Sequence, residues 1–449
     1  MNTDTCGVWL TDTIFYDKDF LLAIKQESND KFNENGRIDS IKVGGKLLAP
    51  WGEDNLLPQH VLAKIDKAEI VGANADFNWK VAYGLGPKLV KLIRDEKTNK
   101  VADYMEVTDG EAYDFFEEND VPMIIEEMLT DMSYFHNTFP MLFPEGDKIK
   151  WIRHREAMFS RWGVDKRGAI ISHLYSSLWE ENPGAKDIEE SHVLDEFDPM
   201  NDMAILRGKQ AKRICYPVYM PSPGRPYYSY PTWYSIWRSG WYDQIVSIPA
   251  LKKAILKNKL GARYIIYISD QYFEEMAELH KIDKNDANAV SELKSKVVES
   301  IKDVLSGADN AGKTITSLKK QMLSGNGVTW DKYIEIEPIK NDIEQGEYLT
   351  DYETGANIIS YAMGVHSSLI GATPGKNSNS LSGSNQRELY LMKQAMSKSM
   401  VDRVLRPFSF IKKYNKWDKD VAIVIPEYIF TTLDQNKSGK QESTNNVAQ

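Results

Sequence analysis

Two cysteines in 449 residues exclude a disulfide framework, and Cys6 and Cys215 carry no metal-ligand spacing. That usage fits a reducing compartment or an indifference to redox state. Long apolar runs are missing too. No stretch approaches the roughly 20 apolar residues that span a bilayer, which excludes a helical membrane protein. The start, MNTDTCGVWL, lacks the basic region and apolar stretch of a secretory signal. Histidine is scarce and scattered: His60, His136, His154, His173, His192, His280 and His366 form no H-x-x-x-H pair. Each reads as an ordinary surface or core histidine, and no metal site or cofactor is expected. An excess of positive charge is absent as well. The net charge of −10 argues against a generic nucleic-acid binder.

What is present is ample material for cores, with 42% hydrophobic and 27% charged residues, enough for two or three domains or one elongated subunit. Charge is unevenly spread. Asp331 to Glu353 holds eight acids and two lysines, whereas Pro374 to Lys416 holds nine cations and two acids, Glu388 and Asp402. These neighbouring segments are built to face different surroundings. Residues 1–50 read as an irregular arm, and those up to 231 as an α+β domain of short strands and helical pairs. YPVYMPSPGRPYYSYP (216–231) has five prolines and marks a boundary.

Beyond that boundary the period changes to long helices. The spacing predicts one helix over 232–260, with Trp233, Trp237 and Trp241 on one face and Pro249 kinking or splitting it. An α/β insert follows at 261–341, with a strand at ARYIIYISD and an amphipathic helix at 286–307. A second long helix is predicted over 342–363, with Leu349, Tyr352, Ala356, Ile359 and Met363 in register. A Gly/Ser/Asn-rich loop, 364–384, leads to a third helix and a closing strand over 385–433. In that helix Leu389, Met392, Met396, Met400, Val404 and Phe408 align, and Pro407 should bend it. The tail, 434–449, is polar and reads as disordered.

GADNAGKT (307–314) matches the phosphate-binding loop pattern at Gly307, Gly312, Lys313 and Thr314. Such a loop works only where a strand delivers the chain and a helix opens directly after it, so that helix N-terminal amides wrap the phosphates. Here the predicted helix ends at Gly307 and β-like ITSL follows Thr314. Phosphate would meet the negative end of the helix dipole. The match reads as an accident, which makes a packaging-motor ATPase the weaker alternative. The Trp/Tyr-rich stretch 227–242 offers a third class, a sugar-stacking platform, which requires exposed rings; a stripe at helical spacing is more often packing.

The order of elements resembles the portal proteins of tailed bacteriophages, specifically the HK97-like portal family, over roughly residues 50–430. EDNLLP (53–58) with YGLGP resembles the family's N-terminal region. YETGANIISYAMGVHSSLIGA (352–372) looks like its second stem helix. SNSLSGSNQRELYLMKQAMSKSMVDRVLRPF (378–408) is similar to its tunnel loop and long helix. The chain departs at His366-Ser-Ser, where the family often has Val-Pro. The resemblance implies an elongated subunit: a wing (1–231), a first stem helix (232–260), a clip (261–341), a second stem helix (342–363) and a tunnel loop (364–384). The long kinked helix completes it.

The resemblance further implies a twelve-subunit ring at one capsid vertex of the virion, assembled in the host cytoplasm and doing no covalent chemistry. Double-stranded DNA would pass through it without sequence preference. Its expected partners are the major capsid protein, the large terminase and head-completion or adaptor proteins. Another ring-shaped connector or a baseplate part is the nearest alternative. The tunnel loop would use Val365, His366, Ser368, Leu369, Thr373, Lys376, Asn377, Asn379 and Ser382, with Lys376 as its one cation. Arg263, Lys319, Lys320 and Met322 would dock the motor on the clip. Trp233, Trp237, Trp241, Leu349, Tyr352 and Ile359 would pack the stem. The acidic run 331–353 would edge the channel and repel the DNA backbone.

Overall fold

The computed structural model describes residues 40–95, 98, 101–259, 264–283, 286–306, 319–324, 327–332, 334–338, 347–370 and 383–428. They form a mixed α+β protein in two compact units. One unit joins the residues up to Val246 with those from Leu349 onward; the other is Ser247–Tyr348.

The larger unit opens with a hairpin, β1 (Ile41–Val43) and β2 (Lys46–Leu48), turned by Gly44 and Gly45 at positive φ. Helices α1 (Leu57–Ile65) and α2 (Glu69–Tyr83) follow, then the antiparallel pair β3 (Lys88–Arg94) and β4 (Val101–Glu106). Proline and aspartate mark several helix starts. After α3 (Glu111–Glu118), α4 (Val121–Phe135) has Pro122 in its first turn, and Asp120 accepts from the Met123 amide at 3.4 Å. In α5 (Pro199–Gly208), Asp198 caps the Asn201 amide in the same way.

Between α4 and α5 run β5 (Asn137–Glu145), β6 (Lys148–Arg155), β7 (Ser160–Val164), β8 (Ile170–Tyr175) and β9 (Glu189–Val193). Beyond α5 come β10 (Ile214–Cys215) and β11 (Val218–Tyr219). The sheet order is β1-β2-β7-β8-β9-β10-β5-β11, with β6 also on β5. β9 and β10 pair in parallel. The first six residues of β5 are buried, so this strand is rich in apolar residues without a clean alternation. The proline-rich segment 216–231 does not end the unit. Tyr228 stacks on Trp51 at 4.3 Å, donates to the Ala49 carbonyl at 3.0 Å and accepts from the Trp162 amide at 2.8 Å. The division between units falls at Val246 instead.

The single helix expected over 232–260 is two elements. A 3-10 helix covers Thr232–Trp237, Gly240 breaks the run with φ +79°, and α6 (Trp241–Lys259) starts afresh. A 3-10 turn holds three residues, so the four-residue spacing does not set Trp233, Trp237 and Trp241 on one helical face. α6 continues through Pro249 and is not split there. The smaller unit contains β12 (Tyr264–Ile268), α7 (Asp270–Leu279), α8 (Ala287–Ser306), β13 (Lys319–Ser324), β14 (Gly327–Lys332) and β15 (Ile334–Pro338). β12 pairs with β15, and β13 with β14, both antiparallel. α7 packs on α8, burying Phe273, Ala277, Leu293 and Ile301.

The chain re-enters the larger unit along α9 (Glu347–Ala362), followed by the single turn α10 (Ser367–Ile370), α11 (Gly383–Tyr414) and β16 (Val421–Val424). β16 joins β3 in the sheet β16-β3-β4. The apolar register expected along α11 holds only in its second half. Val404, Phe408 and Ile411 are buried, while Met392 and Met396 stay 62% and 69% exposed. One core gathers α3, α4, β6 and the end of α11; a second gathers α1, α2, Trp233, Ile245, Ile359 and Val365.

Candidate functional site

Three described segments meet around α9: α2, the start of α6 and the residues that follow Gly364. On one side, α9 runs alongside α2 in the same direction, and three contacts advance together along both. Tyr352 Oη donates to Glu69 Oε1 at 2.8 Å, Asn74 Nδ2 to Ser360 Oγ at 3.2 Å, and Asn78 Nδ2 to the Met363 carbonyl at 3.2 Å. Burial, with Glu69 adding to it, raises the Tyr352 phenol to about 12, so it remains a donor at neutral pH. On another side α9 meets the start of α6. A Cβ on Gly355 would lie 2.6 Å from Ile245 Cγ2 and 3.7 Å from a Trp241 ring carbon. Only glycine lets the two helices come this close. Ala356 and Ile359 are buried beside that contact, and Leu349 lies on the same helix.

The aromatic run packs inward. Trp233 is 5% exposed and meets Trp237 edge-on at 5.5 Å; Trp237 meets Tyr242 edge-on at 4.9 Å. Tyr242 donates to the Lys64 carbonyl at 2.8 Å, and the Lys64 ammonium sits 5.1 Å from the Trp237 ring. A sugar-stacking platform needs an open ring face, which Trp233 does not present.

After α9 the backbone turns at Gly364, φ +64°, and Val365 enters the second core at 4% exposure. His366 Nδ1 accepts from the Ser368 amide at 3.3 Å and from Ser368 Oγ at 2.7 Å. His366 thereby caps α10, while Leu369 and Ile370 are half-buried. Thr373, Lys376, Asn377, Asn379 and Ser382 lie outside the described residues, as do Arg263 and GADNAGKT. Lys319, Lys320 and Met322 fall on β13, opposite Lys332, Asp331 and Thr329 of β14. α8 ends at Ser306, one residue before Gly307, and the next described element is β13. Among the described residues no group of three or more His, Cys, Asp or Glu is placed to hold a metal, and no helix is long and apolar enough to cross a membrane.

With this geometry in place, comparison with solved structures finds a chain in the virion of a native gene transfer agent particle. It has a TM-score of 0.52 and 10% identity, and the match covers 82% of this chain and 84% of that one. A chain in the neck of an empty gene transfer agent particle, computed with C6 symmetry, gives 0.51 at 11% identity over 82% and 84%. A chain in the neck of the native particle, computed with C12 symmetry, gives 0.50 at 12% identity over 82% and 83%. The chain shares its fold with these virion and neck chains. No protein-family model and no curated protein matches the sequence.

Two buried polar clusters were not legible in the sequence. Arg161, 0% exposed, lies between the rings of Trp51 and Trp179, 5.5 and 5.2 Å away. Its guanidinium donates to the Asn55 carbonyl, to Asn55 Oδ1 at 2.8 Å and to Gln59 Oε1 at 3.2 Å. Asn55 sits at φ +66° and also accepts from the Trp51 amide at 3.1 Å. EDNLLP is therefore a bend running into α1, clamped by an arginine from β7. The second cluster lies in a cleft of about 710 Å³ beside α4. There His154 Nε2 is 2.7 Å from Asp131 Oδ2, and its Nδ1 is 3.6 Å from Glu127 Oε2. Asp131 also accepts from the Ala157 amide at 2.9 Å. A lone histidine and a helical Asp gave no sequence signal of this pairing.

Proposed function

We propose that this chain is the portal-type head–tail connector of a phage-like particle: a ring of identical subunits at one capsid vertex through which double-stranded DNA is packaged and ejected. One observation carries the reading. The fold matches virion and neck chains over more than four fifths of both lengths, and one of those necks was computed with C12 symmetry. The order of α6, a separate compact unit, α9, a Gly/Ser-rich segment and a 32-residue helix supports the same reading.

In this reading α6 and α9 are the stem, and the unit 247–348 is the clip that docks the terminase and later the head-completion proteins. Residues 364–384 edge the channel, with Lys376 repeated around the ring as a weak, sequence-blind phosphate contact. The ring itself performs no covalent chemistry. Support for that comes from α8, which precedes Gly307 where a phosphate loop requires a strand. Lys313→Ala should then leave packaging intact.

Native mass measurement of the purified protein is the decisive experiment. The expected species is a multiple of the 51.3 kDa chain, twelvefold by resemblance to the family and sixfold if it is a different connector ring. A monomer under all conditions overturns the reading.

A further inference from the structure

We propose that the N-terminal half of α11 is a subunit interface whose outward face is covered by a second copy of this chain. The inference rests on the ring reading above and names a surface that reading leaves open. Around Leu391 to Ser397 the helix is patterned inside out. Gln394 and Ser397 are buried at 6% and 9% exposure and Lys393 is half-buried, whereas Leu391, Met392 and Met396 are 40%, 62% and 69% exposed. A helix that faces water on one side normally carries the opposite arrangement.

The helix cannot correct this by rolling over. Gln394, Ser397, Val401, Val404, Phe408 and Ile411 follow one another at helical 3–4 spacing, so the polar inward positions continue the buried apolar stripe. Turning Met392 and Met396 inward would expose Val404, Phe408 and Ile411. The inward polar groups are also satisfied. The Gln394 amide, oriented to satisfy both its atoms, pairs with the Tyr428 backbone at 2.8 and 3.2 Å, and Ser397 Oγ donates to the Lys393 carbonyl at 2.9 Å. The exposed apolar face therefore needs a cover from outside.

The segments adjoining α11 in sequence are poor covers by composition. Residues 371–382 hold one large aliphatic residue, Leu381, and residues 429–449 hold Ile429, Phe430, Leu433 and Val447. A neighbouring subunit fits better. A ring junction joins two different faces and repeats at every subunit, so one such apolar face per chain meets the need. An interface core is enriched in methionine, as this face is, with Glu388 one turn before Met392 and Arg403 two turns after Met396.

Two variants test this on the full chain. Met392→Asp with Met396→Asp should keep the wild-type circular dichroism, because both side chains are exposed and no core contact within the subunit is lost. Assembly should shift to about 100-fold higher protein concentration. Photo-cross-linking from p-benzoylphenylalanine in place of Met396 should give a two-chain product. Assembly of the double variant at wild-type concentration overturns the proposal. So does a cross-link confined to one chain, for example to residues 1–39. Wild-type protein that never assembles sinks the ring reading as well, whereas wild-type rings with an indifferent double variant sink this inference alone.

Discussion

Arg161 Nε donates to Asn55 Oδ1 at 2.8 Å across 106 residues of chain, inside a sandwich of two tryptophans. The guanidinium's partners are amide and carbonyl oxygens. Burial lowers Arg161 to about 10, so it stays charged at neutral pH and holds the turn before α1 against β7.

Arg161→Leu removes these donors and strands the Asn55 and Gln59 oxygens in a dry site. The expected loss is about 3 kcal/mol of unfolding free energy, read from urea denaturation. Asn55→Gly should cost less than Asn55→Ala, since only glycine accepts φ +66° without strain. Equal losses in the two Asn55 variants would show that backbone strain plays no part.

Gly355→Ala sets two effects against each other. Alanine gains about 1 kcal/mol in a helix interior, but its Cβ would lie 2.6 Å from Ile245 Cγ2, and overpacking costs about 1–3 kcal/mol. The clash should win, because Ile245 is β-branched and cannot swing its Cγ2 aside freely. Ile245→Ala should recover part of the loss in a double-mutant cycle, and strictly additive losses would place the strain elsewhere.

The His154 cluster makes stability depend on pH. Burial pulls the imidazole down, but Asp131 and Glu127 outweigh it and hold His154 above the ordinary histidine value, with Glu156 adding to the pull. A raised histidine contributes its stability below the unfolded value, about 6.5, and loses it as pH rises through the folded value. Burial raises Asp131 against the pull of His154, and that carboxyl is present in both wild type and His154→Gln. The stability advantage of wild type over His154→Gln should therefore shrink as pH climbs above about 6.5. A gap that widens with pH would reverse the assignment.

Lys376→Glu tests the channel assignment. Ring mass should be unchanged, while DNA retained per particle falls and the deficit grows at low salt, where phosphate repulsion is least screened. Deleting 374–382 should likewise spare the ring and let packaged DNA slip back. Normal DNA retention in both variants would remove the loop from the channel.

By itself the sequence determined where local elements form. Ala287–Ser306 and Gly383–Tyr414 lie within a residue or two of their periodicities, because helical period and helix ends are set over a few residues. The order of those elements was enough to suggest a fold, and the likeness to virion and neck chains is one of fold at 10–12% identity. Even locally it misled at Thr232–Trp237, since four-residue spacing cannot tell an α-helix from a tighter turn broken by Gly240. Only the tertiary structure decided that α9 lies parallel to α2, that Gly355 is a helix contact, and that Arg161 and His154 are buried partners of Asn55 and Asp131. Apart from the 23-residue step from Asp131 to His154, these pairings join residues about a hundred or more apart, and none of them has a spacing to read. It also decided which apolar positions of α11 find a partner within one subunit. A helix's period names its faces, but only the surrounding chain determines which face is covered.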